Sequence, residues 1–250
     1  MSIFYELHRD IPREGPGNNE STRKAYKIIE KYVSKPFILD IGCGPGMQTL
    51  ELASLTDGSV LATDVNDGFL ESLKEVVEKR GLSRKINIQK ANMKSLPFDE
   101  GQFDIIWSEG AIFIIGFEKG LREWKKYLKE NGIIVVSELS WIKNDPPKEV
   151  EEFWRNAHPG MDSIMGNKQK AEKLGYEVID TFVLPESGWW DHYYTPLEER
   201  ISMFREKYQN DKGILNSLSE FQTEIELYRK YSDYYGYVFY LLRGDSPLLR

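Results

Sequence analysis

The sequence predicts an α/β fold: a doubly wound, mostly parallel seven-stranded sheet with helices on both faces. Three observations predict it. Short apolar runs alternate with amphipathic stretches of ten to fifteen residues between about residue 20 and residue 141. A turn with glycine at every second position joins the first apolar run to the stretch after it. The pattern resumes near the end of the chain after two long interruptions.

The elements follow in order. The start of the chain, to about Asn19, is rich in Pro, Gly and Asn and reads as an arm. "ESTRKAYKIIEKYV" carries Ala25, Ile28, Ile29, Tyr32 and Val33 at the spacing of one helix face. "FILDI" (37–41), bounded by Pro36 and the glycines, reads as a buried strand, and "GMQTLELASLT" as a helix stopped at Gly58. "SVLATDV" (59–65) is a strand, 67–81 a helix ending on Gly81, and "KINIQKA" (85–91) a strand. "FDIIWSE" (103–109) is the next strand, 117–130 a helix, and "GIIVVSELSW" (132–141) a strand. Residues 142–165 then break the alternation before "NKQKAEKLGYEVIDTFVL" resumes it. Residues 186–233 break it again, with aromatic and charged helical sequence, before a last strand, "YYGYVFYLLR", in which Gly236 reads as a bulge. The whole chain, 1–250, is expected to be one domain, with the arm (1–19) and the two inserts forming a lid at one edge of the sheet.

Composition narrows the function classes. The 250 residues carry a net charge of −7 with acids and bases interspersed, which argues against nucleic acid as the main partner. The first residues are too polar for a signal peptide, and no run is long and apolar enough for a membrane span, so a cytoplasmic protein is expected. The single cysteine, Cys43, excludes an internal disulfide, and no His/Asp/Glu set has metal-ligand spacing.

Gly42, Gly44 and Gly46 follow the first strand and open the first sheet helix. Ligands of open α/β sheets bind at such turns. A dinucleotide fingerprint would need glycine at 47, where Met47 stands, and no Gly-Lys-Ser/Thr follows for a P-loop. Asp40 at the mouth would repel a pyrophosphate and suits a cationic ligand. Asp64 ends the second strand where an acid can take both hydroxyls of a ribose. Asn92 ends the third, where an amide can pair with an adenine edge, with Met93 beside it for the base.

"LDIGCGPG", "LATDV", "ANMKSLPF" and "FDIIWSEGA", in this order and at these spacings, resemble the motifs of class I S-adenosylmethionine-dependent methyltransferases. The resemblance covers residues 36–140 and, loosely, the last strands. It implies S-adenosylmethionine as cofactor, with Gly42, Gly44 and Gly46 under its methionine part and Asp40 near its amino group. Asp64 with Val65 would serve the ribose, Asn92 with Met93 the adenine, and Ser108 the fourth motif. The adenine position is often Asp in the family; here it is Asn92.

The chemistry asks for a nucleophile in line with the methyl–sulfur bond, exclusion of water and, for some acceptors, a base. Glu109, after the fourth-motif strand, and His192, among the aromatics of "GWWDHYYTP", are the candidate catalytic groups; His8 and His158 have weaker claims. Glu138, Trp141, Trp190 and Tyr193 are the candidate pocket residues, in an aromatic cluster that also holds Trp189 and Tyr194. Asn18, Asn19 and Thr22 either reach the cofactor carboxylate or cap the first helix. The expected function is methyl transfer to a small-molecule acceptor, by a monomer or homodimer. Two other classes use the same scaffold: a non-catalytic cofactor-binding regulator, and a nicotinamide oxidoreductase, which Met47 and Asp40 disfavour.

Overall fold

The computed structural model describes residues 3–8, 11 and 13–244; the expected arm and the single-domain span 1–250 lie partly outside the described residues. The apolar runs pair as strands β1 (Phe37–Ile41), β2 (Ser59–Asp64), β3 (Ile86–Lys90), β4 (Phe103–Glu109), β5 (Leu128–Trp141), β6 (Asp162–Ser163), β7 (Tyr176–Val183) and β8 (Tyr235–Gly244). Their order in the sheet is β3-β2-β1-β4-β5-β8-β7, with the two-residue β6 pairing off β5. All pairs from β3 to β5 are parallel; β8 runs antiparallel to both β5 and β7. The chain therefore steps outward from β1 to β3, then crosses back to β4 on the other side of β1. That reversal opens a crevice at the carboxyl ends of β1 and β4, the place where such sheets bind ligands.

Helices α1 (Ile3–His8), α2 (Asn19–Ile29), α3 (Met47–Leu55), α4 (Asp67–Lys79), α5 (Phe117–Trp124), α6 (Lys148–Ala157), α7 (Ile164–Lys173), α8 (Ser187–Trp189), α9 (Thr195–Lys207) and α10 (Lys212–Tyr231) complete the chain. Buried side chains form two clusters. Leu39, Ile106, Ile134, Leu121 and Trp124 belong to one, and Ile38, Ile105, Val135, Ala25 and Leu73 to the other. Alternate residues of β1, β4 and β5 thus point to opposite clusters, so the central strands are apolar throughout rather than alternating.

Two local expectations are corrected. The helix expected over 117–130 ends at Trp124, passes through a 3-10 turn at Lys125–Tyr127, and gives way to β5 at Leu128. Pairing of Leu128 with Phe103, and its burial, outweigh the helix preference of the Lys- and Glu-rich stretch. Gly236 is no bulge: it sits in regular register opposite Ser140, and the irregularity of this sheet half lies between Val178 and Asp180 in β7. A Cβ at 236 would come within 3.3 Å of the Ile142 side chain, a tight contact.

Candidate functional site

All three glycines of the turn have left-handed backbone: φ is +71° at Gly42, +54° at Gly44 and +89° at Gly46. The three glycines have different reasons to be bare. A Cβ at Gly46 would lie 2.3 Å from Leu73 of α4, and one at Gly42 2.7 Å from Ala111. A Cβ at Gly44 would meet nothing within 4 Å. Gly44 lines a cavity of about 560 Å³ that begins at the crevice. Two glycines serve the packing of the loop; the third leaves space for something else.

Asp64 lies on the same cavity and braces the turn. Its Oδ2 accepts from the Gly44 amide at 3.1 Å and its Oδ1 from the Asn66 amide at 2.9 Å. The cap of α4 is Asn66, whose side chain accepts from Gly68 and Phe69. Asp64 is thus free of the capping role. Val65, half exposed, and Met93 complete this end of the cavity. Asn92 also lines it, and its Oδ1 accepts from the Lys94 amide at 3.0 Å, which makes it a turn-former as well. Asp64→Ala should weaken binding of S-adenosylhomocysteine by about 1.5–3 kcal/mol, the range for one hydrogen bond to a charged group. The loss of its bond to Gly44 should cost only a few degrees in melting temperature. Calorimetric affinity equal to wild type would confine Asp64 to bracing the loop.

Asp40 does not reach the cavity surface. It is fully buried beneath the turn, where Oδ2 accepts from Thr49 Oγ1 at 2.5 Å and Oδ1 has no partner. Burial pushes its carboxyl up to about 7; the nearby Glu109 charge adds to this, and the Thr49 bond and Arg13 charge offset part of it. A carboxyl raised in the fold holds its proton longer folded than unfolded. Its stabilising contribution is complete below the ordinary value of 3.8 and is lost as pH rises to about 7. Asp40→Asn, in the cofactor-free protein, should therefore gain on wild type by about 2–4 °C in Tm or more between about pH 5 and about pH 8. An offset that stays constant across that interval would mean that Asp40 is not desolvated as described.

The arm closes one side of the cavity through Arg13, which sequence reasoning passed over. Arg13 Nη2 donates to Glu109 Oε2 at 2.6 Å, and both side chains are almost wholly buried. Glu109 Oε1 accepts from Thr22 Oγ1 at 2.7 Å and from Trp107 Nε1 at 2.9 Å. Glu109 lines the cavity, but its two oxygens already take three donors. Arg13 Nη1 is buried with no partner, on a residue that also lines the cavity. Asn18 caps α2, its Oδ1 accepting from the Ser21 amide at 2.8 Å, and neither Asn18, Asn19 nor Thr22 lines the cavity. Ser108 is buried and donates to the Ile41 carbonyl at 2.9 Å.

The far half of the cavity is walled by the two inserts. Helix α6 brings Trp154 and Ala157, and His158 follows as its cap. Helix α8 runs into a π-helical turn at Trp190–Tyr194, and this stretch brings Trp189 and Tyr193. Trp190 and His192 do not line the cavity: Trp190 packs on Tyr194 and Tyr228, with the Arg229 guanidinium over its ring. Trp141 likewise stays off the cavity, against Tyr235. Glu138 is buried behind the wall and holds His158, its Oε1 lying 2.6 Å from the ring Nε2. Burial raises the Glu138 carboxyl and the His158 bond opposes the rise. The structure thus brings forward His158, the weaker candidate, and leaves His192 outside. No spacing in the sequence pairs positions 138 and 158; β5 and the cap of α6 meet only in the fold.

A switch-point crevice, a left-handed glycine turn, a strand-end carboxylate and a roofed cavity define a cofactor-dependent enzyme scaffold of the Rossmann-like kind. Residues 38–132 match the family model described as a methyltransferase domain. A sterol 24-C-methyltransferase of Pneumocystis carinii is 26% identical over 182 residues, 68% of this chain and 48% of that protein. The ubiquinone/menaquinone biosynthesis C-methyltransferase UbiE of Pasteurella multocida is 29% identical over 146 residues, 57% of this chain and 54% of that protein. The chain thus spans about half the length of these curated relatives. In fold it is similar to an S-adenosylmethionine-dependent methyltransferase from Geobacter sulfurreducens solved with S-adenosyl-L-homocysteine, at a TM-score of 0.81, 18% identity and 96% coverage of both chains. The match over residues 38–132 and the likeness to these methyltransferases support a class I S-adenosylmethionine-dependent methyltransferase domain.

The residues fit that cofactor. Gly44 leaves open space, Arg13 offers an unpartnered buried N–H for a carboxylate, and Asp64 presents a carboxylate at the cavity. Among the described residues, no helix is long and apolar enough to cross a membrane, and no three His, Cys, Asp or Glu side chains group as a metal site.

Proposed function

We propose that the chain transfers a methyl group from S-adenosylmethionine to a small-molecule acceptor held between the two inserts. The observation that carries this is continuity: one cavity runs from Gly44 and Asp64 to Trp154, His158, Trp189 and Tyr193. The cofactor supplies a methyl group already activated on a sulfonium, so the protein needs mainly to align the acceptor and keep water out. Arg13 Nη1 would hold the cofactor carboxylate, Asp64 the ribose hydroxyls, and Asn92, Met93 and Val65 the base. Glu109 binds no substrate in this reading; it positions Arg13. His158, fixed at Nε2 by Glu138, would take the acceptor's proton at Nδ1. The aromatic walls supply the dry surface.

The test is release of S-adenosylhomocysteine when the protein meets labelled cofactor and a pool of metabolites. Tight cofactor binding with no turnover in any pool would favour a regulatory module instead. The inserts are assigned the choice of acceptor, which separates their residues in a measurable way. Tyr193→Ala should lower methyl transfer at least about tenfold with cofactor affinity kept. Trp190→Ala, off the cavity, should lower Tm while turnover per folded molecule persists. The reverse pattern would remove the inserts from acceptor recognition.

A further inference from the structure

The acceptor half of the cavity holds one charged group that neither the cofactor site nor the His158–Glu138 pair uses. Glu224, on α10, is half-buried and lines the cavity. Its Oε1 accepts from Tyr194 Oη at 2.9 Å, the one hydrogen bond it makes among the described residues. An ionised carboxylate has about four acceptor sites, so most of its capacity is unspent. The Tyr194 ring stands over the same side of the lid as Trp189, at 5.5 Å between centroids.

Acids stand at both ends of the cavity. At the cofactor end, Glu14 stands close enough to Asp64 to feel its charge, and both act on Cys43. At the other end Glu224 acts on Tyr235 and Tyr237, and Tyr193 lies within reach of both acids. The basic side chains on the cavity are Arg13, held by Glu109, and Lys94, exposed on the turn after β3. Burial raises the Glu224 carboxyl and only the Tyr194 hydroxyl opposes it; no cation of the described chain takes part. A half-buried carboxylate without a counter-charge gains from a ligand that brings one. Trp189, Tyr193, Tyr237 and Phe221 line the same cavity, and aromatic faces attract organic cations.

We propose that this half of the cavity takes an organic amine in its protonated form, with its apolar body among the aromatic rings and its ammonium against Glu224. The proposal rests on the reading of this region as the acceptor chamber and adds the acceptor's chemical class. It disfavours carboxylate and phosphate acceptors, which the Glu224 charge repels.

Calorimetric titration of the whole protein decides it, using three probes of one shape: phenethylamine, phenethyl alcohol and hydrocinnamate, each with and without S-adenosylhomocysteine. Phenethylamine should bind at least about tenfold more tightly than the alcohol, and hydrocinnamate most weakly of the three. Glu224→Gln should erase the preference for the amine and leave S-adenosylhomocysteine affinity unchanged. Equal binding of the three probes, no binding of any, or an amine preference that survives Glu224→Gln overturns the proposal. If the Gln variant does not fold, the ranking of the three probes by the wild type decides alone. Failure of S-adenosylhomocysteine to bind, with the amine ranking intact, would overturn the cofactor reading and not the amine site.

Discussion

Gly44→Val should abolish S-adenosylhomocysteine binding, a loss of at least about a hundredfold, in a protein that still folds. The position has φ +54°, where a β-branched residue costs about 1–3 kcal/mol of backbone strain. Among the described residues, none beyond the chain neighbours has an atom within 4 Å of the Cβ position to oppose the new side chain. The isopropyl group would therefore stand in the cavity, in the volume the cofactor needs. Gly46→Ala gives the contrasting result. Its Cβ would meet Leu73 at 2.3 Å, so α4 or the loop must move and the fold itself is destabilised. Chemical denaturation and calorimetry on the two variants separate the effects. If Gly44→Val binds normally, or if both variants lose stability equally, the loop is only a turn.

The second large effect is expected at Glu109. Glu109→Ala leaves Arg13 as a buried, unpaired guanidinium and strips the acceptor from Thr22 and Trp107. Breaking a buried pair in this way costs about 3–5 kcal/mol, a large share of the stability of an ordinary domain. Glu109→Gln keeps an oxygen for Thr22 and Trp107 and loses only the charge facing Arg13, so it should fall between alanine and wild type. Because Arg13 belongs to the arm, both variants should also weaken cofactor binding. An alanine variant of unchanged stability that binds cofactor but has lost turnover would make Glu109 a catalytic residue and not a brace.

The parallel sheet and the glycine turn were legible because each rests on local periodicity or on residues adjacent in sequence. "FILDI" and "FDIIWSE" form strands over the residues expected, 37–41 and 103–109. Helix ends were less legible where pairing competes, as at Leu128, whose strand partner Phe103 is 25 positions away. The aromatic insert was recognised by composition, but composition does not give direction. The π-helical turn at Trp190–Tyr194 alters the angular step between neighbours, and Trp189 and Tyr193 line the cavity while Trp190 and His192 do not.

What the sequence determines by itself is the scaffold and its cofactor class, since Asp40, the three glycines, Asp64 and Asn92 stand at fixed offsets from the strands they end. The tertiary structure alone decided the use of the acids and of the histidines. Glu109 meets Arg13 across 96 positions, Glu138 meets His158 across 20, and Glu224 reaches the cavity from α10. A titratable group's role is set by the dielectric and the partners around it. Those partners come from distant segments, and no local pattern records which segments will meet.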